Sequence, residues 1–439
     1  MVGIYVVGDP SKGAEEGVEL SGTSVVVGCA SKKEVVSVGE FGGVAIGEGG
    51  NLVVFGEGGM FACGPNGAKQ LGVGKQAPIL ARWVSVQLGR VVRSVAPGSH
   101  HSLLCSSDGG VFSCGRGDGG QLGLGDKTKH VTNFQQIILP PGVIAKQVSV
   151  ASSARRFENQ SASYILTTAG ACLSFGNNNH QKLGLGAGVT TNAWAPAPVA
   201  HEGVAFDKIS AGKHHVLACD AAGFVYSWGS GDMGRLGLSD KKHRGIPTKV
   251  ELGIPLIDGD KQSPAVKIDA VVARETFSIA LSTASGAVFT WGFGTRGQLG
   301  RGQAGTRGEP AQPGRVDLGA AKIARLAAND DACVAFVQDS LAGHYVWGQL
   351  ELGDLKIGSQ EPIASLALST PLENILGFDL APSYAIVALQ NDIPDKRTAL
   401  EPPIDEQPPE KLQKLDASAV VTDLNPAPAD RPAPPAATV

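Results

Sequence analysis

One short pattern occurs five times along this chain, and it restricts the fold more than any other feature of the sequence. In each copy an apolar stretch ends in a bulky or sulfur-containing side chain before glycine, and a Leu-Gly pair follows after six further residues. Two shorter copies, at residues 4–9 and 344–349, have only the first half of the pattern. Repetition of one unit predicts a repeat architecture. The five full copies occupy residues 60–74, 111–125, 172–186, 225–239 and 288–302.

The spacing of the copies indicates which repeat architecture is present. The glycine that follows the bulky residue recurs at intervals of 51 to 63 residues, and a second apolar stretch and a short turn precede most copies, as in residues 101–115. Such pairs are typical of β-hairpins, and several strands in a unit of this length favour a β-propeller over a thin solenoid. We expect the repeated glycines to adopt turn conformations and the tryptophans at the bulky position to pack between blades. The glycines are Gly8, Gly64, Gly115, Gly176, Gly229, Gly292 and Gly348, and the tryptophans are Trp228, Trp291 and Trp347.

The two ends of the repeat region complement each other. The last apolar stretch, residues 382–390, has the character of a strand that precedes a bulky-Gly strand, yet no such strand follows it. The missing partner stands at the start of the chain, in residues 4–9. Pairing of the two would leave no open edge in the ring. We therefore predict an all-β propeller over residues 1–390 that is closed by its N-terminal and C-terminal strands.

Residues 391–439 have a different composition. They hold ten of the 26 prolines, and their nine acidic and five basic residues account for the whole net charge of −4. We expect an extended or disordered tail. Leu412 and Leu415 have helical spacing within 410–424, which makes this segment a candidate docking helix that folds on a partner.

The overall composition excludes several classes of protein. The charges of residues 1–390 sum to zero, which argues against a nucleic-acid partner. An odd number of cysteines, seven, without a CxxC motif favours a reducing compartment and neither disulfides nor a zinc motif. No apolar run is long enough for a membrane span, and the first residues do not resemble a signal or transit peptide. We expect a cytoplasmic protein, with the nucleus or the cilium as alternatives.

The candidate partner-binding residues fall in loops of the predicted propeller. Two longer repeat units contain the basic clusters Arg155-Arg156 and Lys241-Lys242 with Arg244, and inserted loops often carry binding. Histidine pairs occur at 100–101 and 214–215. We expect His101 and His215 to bond the local backbone, while His100 and His214 remain candidates for binding. The sequence has neither a Walker-type phosphate loop nor a nucleophile elbow, so we predict no catalytic residue, cofactor, metal site or small-molecule substrate.

The repeated hairpin, the bulky-Gly strand and the Leu-Gly turn resemble those of the RCC1 family, named for the regulator of chromosome condensation. The resemblance covers residues 1–390 and implies a seven-bladed propeller. The best-known activity of the family is nucleotide exchange on the small GTPase Ran, with acidic residues and a histidine on one propeller face. That analogy places the histidine at His214, and Asp330-Asp331 stand before a similar strand in a later unit.

Two hypotheses about function follow from the sequence. In the first, the chain is a non-enzymatic scaffold for protein partners, within a cytoskeletal or ciliary assembly by family analogy. In the second, it is a guanine-nucleotide exchange factor for a Ran-like small GTPase.

Overall fold

A computed structural model describes most of the repeat region. The described residues are 2–8, 24–27, 34–37, 41–46, 51–56, 59–74, 78–125, 130–152, 160–201, 203–253, 256–257, 260–264, 266–302, 311–338, 344–352, 355–366, 375–380 and 384–390. The predicted tail, with Leu412 and Leu415 of its candidate docking helix, lies outside them. Within these residues, no helix has the length and apolar character needed to cross a membrane.

The described chain is built from strands and two short 3-10 turns, at Asn179–Gln181 and Asp232–Gly234. In chain order the strands are β1 (Val2–Gly8), β2 (Ser24–Val27), β3 (Glu34–Ser37), β4 (Phe41–Ile46), β5 (Leu52–Gly56), β6 (Gly59–Pro65), β7 (Ile79–Val86), β8 (Val92–Pro97), β9 (His101–Ser106), β10 (Val111–Arg116), β11 (His130–Ile137), β12 (Ala145–Ala151), β13 (Ala162–Thr167), β14 (Cys172–Gly176), β15 (Ala193–Pro198), β16 (Phe206–Ala211), β17 (His215–Asp220), β18 (Val225–Gly229), β19 (Arg244–Val250), β20 (Leu256–Ile257), β21 (Asp260–Pro264), β22 (Ala270–Ala273), β23 (Phe277–Ser282), β24 (Ala287–Gly292), β25 (Ala311–Arg315), β26 (Ile323–Ala328), β27 (Ala332–Val337), β28 (His344–Leu352), β29 (Leu355–Leu366), β30 (Ile375–Leu380) and β31 (Tyr384–Gln390).

Six antiparallel four-stranded sheets follow one another along the chain and form blades 1 to 6. They are β4–β7, β8–β11, β12–β15, β16–β19, β22–β25 and β26–β29. Blade 7 is the three-stranded sheet β30-β31-β1. Its first strand, β30, lies beside β26 of blade 6 and β4 of blade 1, so the blades form a closed ring. The short pairs β2-β3 and β20-β21 are separate sheets.

Ring closure occurs where the sequence predicted it. Strand β1 pairs with β31 from Val2 opposite Gln390 to Gly8 opposite Tyr384. Gly8 thus faces the first residue of the second strand of its blade, as Gly115 does in blade 2. The N-terminal strand is therefore the third strand of blade 7, and the prediction of a closed seven-bladed propeller is confirmed.

The repeated glycines lie in the third strand of each blade rather than in a turn. Gly229, for example, has a φ of 101° at the point where the register to the fourth strand shifts. A Cβ there would lie 2.7 Å from the carbonyl oxygen of His214. The glycine is required because this β-bulge combines positive φ with a close backbone approach.

The bulky residue of one blade packs against the Leu-Gly pair of the preceding blade. Trp291 of blade 5 is fully buried and lies against Gly237, the Leu-Gly glycine of blade 4. Its Nε1 donates a hydrogen bond of 2.9 Å to the carbonyl oxygen of Arg235. The same glycine–aromatic contact recurs between successive blades, in the pairs Gly123–Phe175, Gly184–Trp228 and Gly300–Trp347. The two halves of the repeat therefore meet across the space between blades.

The hydrophobic core is distributed over these spaces. One cluster of buried residues joins Tyr164 of blade 3 to Trp228 of blade 4, and the next joins Leu217 of blade 4 to Trp291 of blade 5. Each blade is thus stabilised chiefly by its neighbours, which is the usual energetics of a repeat array.

Candidate partner-binding face

The topology collects two kinds of loop on one side of the ring. Because the strands of a blade alternate in direction, the connections between first and second strands and between third and fourth strands emerge on the same side. We call this side the loop face. It carries every candidate residue that the structure describes: His100, His214, Lys241, Lys242, Arg244, Asp330 and Asp331. Arg155 and Arg156 lie outside the described residues.

The buried member of each histidine pair joins two blades. His101 Nε2 lies 2.9 Å from Ser163 Oγ of blade 3, and His215 Nε2 lies 2.7 Å from Ser278 Oγ of blade 5. Both serines donate their hydroxyl proton to a backbone carbonyl, so each accepts from the histidine. This differs from the local backbone bond that we expected. Burial lowers the pKa of His101 to about 3 and that of His215 well below its usual value, so both rings are neutral structural groups.

His214 is more accessible than His215. It is half-buried, and its ring meets the edge of His180 at a centroid distance of 5.7 Å. Burial, followed by the charges of Arg235 and Lys182, lowers the pKa of His214 to about 3. The imidazole is therefore neutral near pH 7 and can accept a hydrogen bond.

Acidic side chains occupy the corresponding loops of the next two blades. The carboxylate of Glu275 in blade 5 forms an ion pair with Lys213 of blade 4, with Oε1 and Nζ 2.9 Å apart. The backbone N–H of Glu275 donates a hydrogen bond of 3.1 Å to Oδ1 of Asp330 in blade 6. Asp331 pairs with Arg296 at 2.5 Å. Burial raises the pKa of Asp330, although the charge of Arg274 acts in the opposite direction. These acids therefore form an acidic belt on the loops of blades 5 and 6, and cations of the same chain largely balance its charge.

The basic loop of blade 4 contains three cations with two different roles. Arg244 is half-buried, pairs with Asp240 at 2.8 Å and donates to the carbonyl oxygen of Lys242 at 3.1 Å, which fixes the loop. Lys241 and Lys242 are exposed, and their ammonium groups make no ion pair among the described residues. These two lysines are cations of this loop that a partner can reach.

Two further cations stand at the residue before Leu-Gly, where blades 1, 2 and 5 have Gln70, Gln121 and Gln298. Lys182 of blade 3 is fully buried and donates to the carbonyl oxygens of Gln160 and Lys213. Arg235 of blade 4 is 4% exposed, and its Nε donates to the carbonyl oxygen of Asp232 at 2.7 Å. Both cations lie below the loop face near His214.

The structure also brings together a cluster that the sequence analysis missed. His180, Asp232 and His243 come from the connections between third and fourth strands of blades 3 and 4. One potential ligand atom from each lies within 4.8 Å of the other two. His180 and His243 are 63 residues apart in the sequence, which hides the cluster from any motif search. The only sequence signal was the cation before Leu-Gly in the third and fourth copies of the turn, where the other copies have glutamine.

These interlocked blades define a closed propeller built from sequence repeats. The family model described as the Regulator of chromosome condensation (RCC1) repeat matches residues 108–154, 169–219, 222–259 and 285–335. The chain therefore carries RCC1 repeats and is an RCC1-like β-propeller, which confirms the resemblance found in the sequence.

Characterised relatives share this repeat region. Protein RCC2 homolog of Xenopus laevis is 30% identical over 276 residues, which are 59% of this chain and 51% of that protein. Ultraviolet-B receptor UVR8 of Arabidopsis thaliana is 32% identical over 216 residues, or 49% of this chain and 44% of the receptor. The matching region thus spans about half the length of these curated relatives.

Solved structures share the fold at lower identity. Human WBSCR16 superimposes with a TM-score of 0.67 at 18% identity, covering 89% of this chain and 99% of that one. Prp20p of Saccharomyces cerevisiae gives a TM-score of 0.65 at 18% identity, covering 90% of this chain and 92% of that one. At these identities the likeness establishes the propeller fold alone.

Proposed function

We propose that this chain is a non-enzymatic propeller that docks a protein partner on its loop face. The observation that carries the proposal is the convergence of the candidate residues there, although they come from three different blades. A rigid closed ring with long connections on one side supplies a broad surface of fixed shape, which is what a scaffold requires.

The charges of the loop face determine what kind of partner suits it. The acids of blades 5 and 6 pair with Lys213 and Arg296 of the same chain. Lys241 and Lys242 are exposed and have no such pairing among the described residues. A partner with an acidic patch therefore complements this part of the face, and the complementarity would act chiefly on the rate of association.

Nucleotide exchange on a small GTPase is the second candidate function. It is favoured by the position of His214 beside the acidic belt on consecutive loops of blades 4 to 6. Prp20p, which shares the fold, is described as binding Gsp1p and histones. Docking ranks first because Glu275 and Asp331 are already engaged in ion pairs within the propeller.

The deciding experiment compares two charge reversals on opposite faces. Full-length tagged chain captures partners from extract, alongside Lys241→Glu/Lys242→Glu and the control Lys267→Glu/Lys322→Glu. The control lysines are exposed and lie in connections between successive blades, on the other side of the ring. Docking on the loop face requires that the first variant lose a partner which the control and the wild type retain. Equal capture by both variants would contradict the proposal.

Any captured GTPase is then loaded with labelled GDP and mixed with wild-type chain or the His214→Ala variant. Accelerated GDP release that His214→Ala abolishes would support the exchange factor and refute the scaffold. Unchanged release with stable capture would support the scaffold. The identity of the captured proteins also tests the expectation of a cytoskeletal or ciliary assembly, and fluorescence microscopy of the tagged chain tests the expected cytoplasmic, nuclear or ciliary location.

A further inference from the structure

A cluster of metal-ligating side chains lies between blades 3 and 4 on the loop face. His180 belongs to the 3-10 turn Asn179–Gln181 of blade 3, and Asp232 begins the equivalent turn of blade 4. His243 directly precedes β19 and reaches back across the blade boundary to His180, with ring centroids 4.8 Å apart. His180 is partly buried, while Asp232 and His243 are exposed, so the cluster is open to ions from solvent.

The two imidazoles already have the separation that a metal ion would impose. Nδ1 of His180 and Nε2 of His243 are 3.2 Å apart. Two nitrogens bound to one tetrahedral Zn²⁺ at about 2.0–2.1 Å lie about 3.3 Å from each other. An oxygen of Asp232 completes a set of three ligand atoms that all lie within 4.8 Å of one another.

We propose that His180, His243 and Asp232 bind one divalent first-row transition ion of the Zn²⁺ type, with the fourth position open to water. Two imidazole nitrogens and one carboxylate suit Zn²⁺ or Ni²⁺, whereas Mg²⁺ and Ca²⁺ prefer ligand sets made of oxygen alone. Three protein ligands and one open position are a normal arrangement for zinc. The ion would tie the third-to-fourth connections of blades 3 and 4 together across the blade boundary.

Binding replaces a hydrogen bond that the two rings share. The N–H of Gly231 donates to Nδ1 of His243 at 3.2 Å, so the ring proton of His243 lies on Nε2 and is donated to His180. When the ion takes the place of that proton, the proton moves to Nδ1 of His243 and the bond from Gly231 opens. That bond is at the long end of the normal range, so little stability is lost.

Some charges near the cluster favour binding of a divalent ion, and others oppose it. Asp232 supplies a negative charge, and its carboxylate accepts a hydrogen bond of 2.8 Å from the hydroxyl of Ser230. The buried cations Lys182 and Arg235 also lie near His180. The same cations repel a divalent ion, so we expect a weaker site than a buried structural zinc.

The test uses tag-free full-length chain. Calorimetric titration with ZnCl₂ should show one ion per chain, and CoCl₂ should give the visible absorption of Co²⁺ with nitrogen ligands. His180→Ala and His243→Ala should each weaken Zn²⁺ binding at least tenfold and remove the Co²⁺ band, while Asp232→Asn weakens binding less. His130→Ala is the control, because His130 is an exposed histidine in β11. MgCl₂ should not compete.

His243 is exposed, so its replacement should not disturb folding, and thermal unfolding in a chelator checks this for every variant. The proposal is overturned if the wild type binds no Zn²⁺. It is equally overturned if His243→Ala, folded as the wild type, retains both the affinity and the Co²⁺ band.

Discussion

Replacement of the glycine in one Leu-Gly pair directly tests the glycine–tryptophan contact between neighbouring blades. In Gly237→Ala the new Cβ would lie 2.8 Å from Nε1 of Trp291 and 3.0 Å from Cγ of Pro313, in a backbone with a φ of 69°. An L-residue in this left-handed region costs about 1–2 kcal/mol. Overpacking against a fully buried ring adds about 1–3 kcal/mol. We therefore expect the free energy of unfolding to fall by about 2–5 kcal/mol, measured by urea denaturation followed by tryptophan fluorescence.

Gly253 is the matched control for this experiment. Its φ is 68°, and a Cβ there would have no heavy atom within 4 Å. Gly253→Ala should therefore lower the free energy of unfolding only by the cost of the left-handed backbone, about 1–2 kcal/mol. Combining Gly237→Ala with Trp291→Phe, which shortens the ring system, should reduce the excess cost of the first substitution. Equal losses in Gly237→Ala and Gly253→Ala would show that the glycine–tryptophan contact does not couple the blades.

Three further predictions concern closure, the histidine–serine bonds and pH. Deletion of residues 1–8 removes the strand that pairs with β31, and should lower the melting temperature of the whole ring; a truncated chain that melts like the full one would refute closure. Ser278→Ala leaves the Nε2–H of His215 unpaired and should cost about 1–3 kcal/mol in urea unfolding. Ser102→Ala, at the equivalent position of blade 2, should cost little, because its hydroxyl has no hydrogen-bond partner among the described residues. Because the pKa of buried His101 is about 3 and that of an unfolded histidine about 6.5, the unfolded chain binds more protons below pH 6.5. His101 alone should therefore lower the stability by about 1.4 kcal/mol per pH unit from pH 6.5 towards pH 3, and His101→Gln should reduce the total slope by about that amount.

The number of blades and their closure could be predicted because each blade repeats its own local signals. The bulky residue before glycine marks the third strand, and Leu-Gly marks the turn that follows it. The first residues of the chain carry the third-strand signal without a preceding partner, and that alone indicated pairing of β1 with β31. The pattern did not show whether the glycines lie in a β-bulge or in a turn, because both can require a positive φ.

Contacts between blades could not be predicted in the same way. His101 and Ser163 are 62 residues apart, and His180 and His243 are 63 apart. Each pair meets only because neighbouring blades stack at a fixed angle, which no local pattern encodes. For this reason the sequence suggested a local role for His101 and gave no sign that His180, Asp232 and His243 converge.

The convergence of His180 and Asp232 at the boundary of blades 3 and 4 has a cause within their own turns. In blade 5 the side-chain oxygen of Gln298 accepts a hydrogen bond of 2.9 Å from the N–H two residues earlier, and Gln70 and Gln121 do the same in blades 1 and 2. Lys182 and Arg235 replace this glutamine and have no acceptor to offer. In blades 3 and 4, the residue two positions before this lysine or arginine adopts a left-handed conformation, with a φ of 59° at His180 and of 57° at Met233.

This change of turn is what places the histidine and the aspartate at the boundary of blades 3 and 4. His180 itself occupies the left-handed position, and Asp232 directly precedes it in blade 4. Lys182→Gln should restore the acceptor, return the turn of blade 3 to the conformation of the other blades and draw His180 away from His243. We therefore expect Lys182→Gln to weaken Zn²⁺ binding although it alters no ligand, and calorimetry on that folded variant measures the effect. If its affinity equals that of the wild type, the residue before Leu-Gly does not control the turn, and the position of His180 must be set by His243 and the neighbouring blade instead.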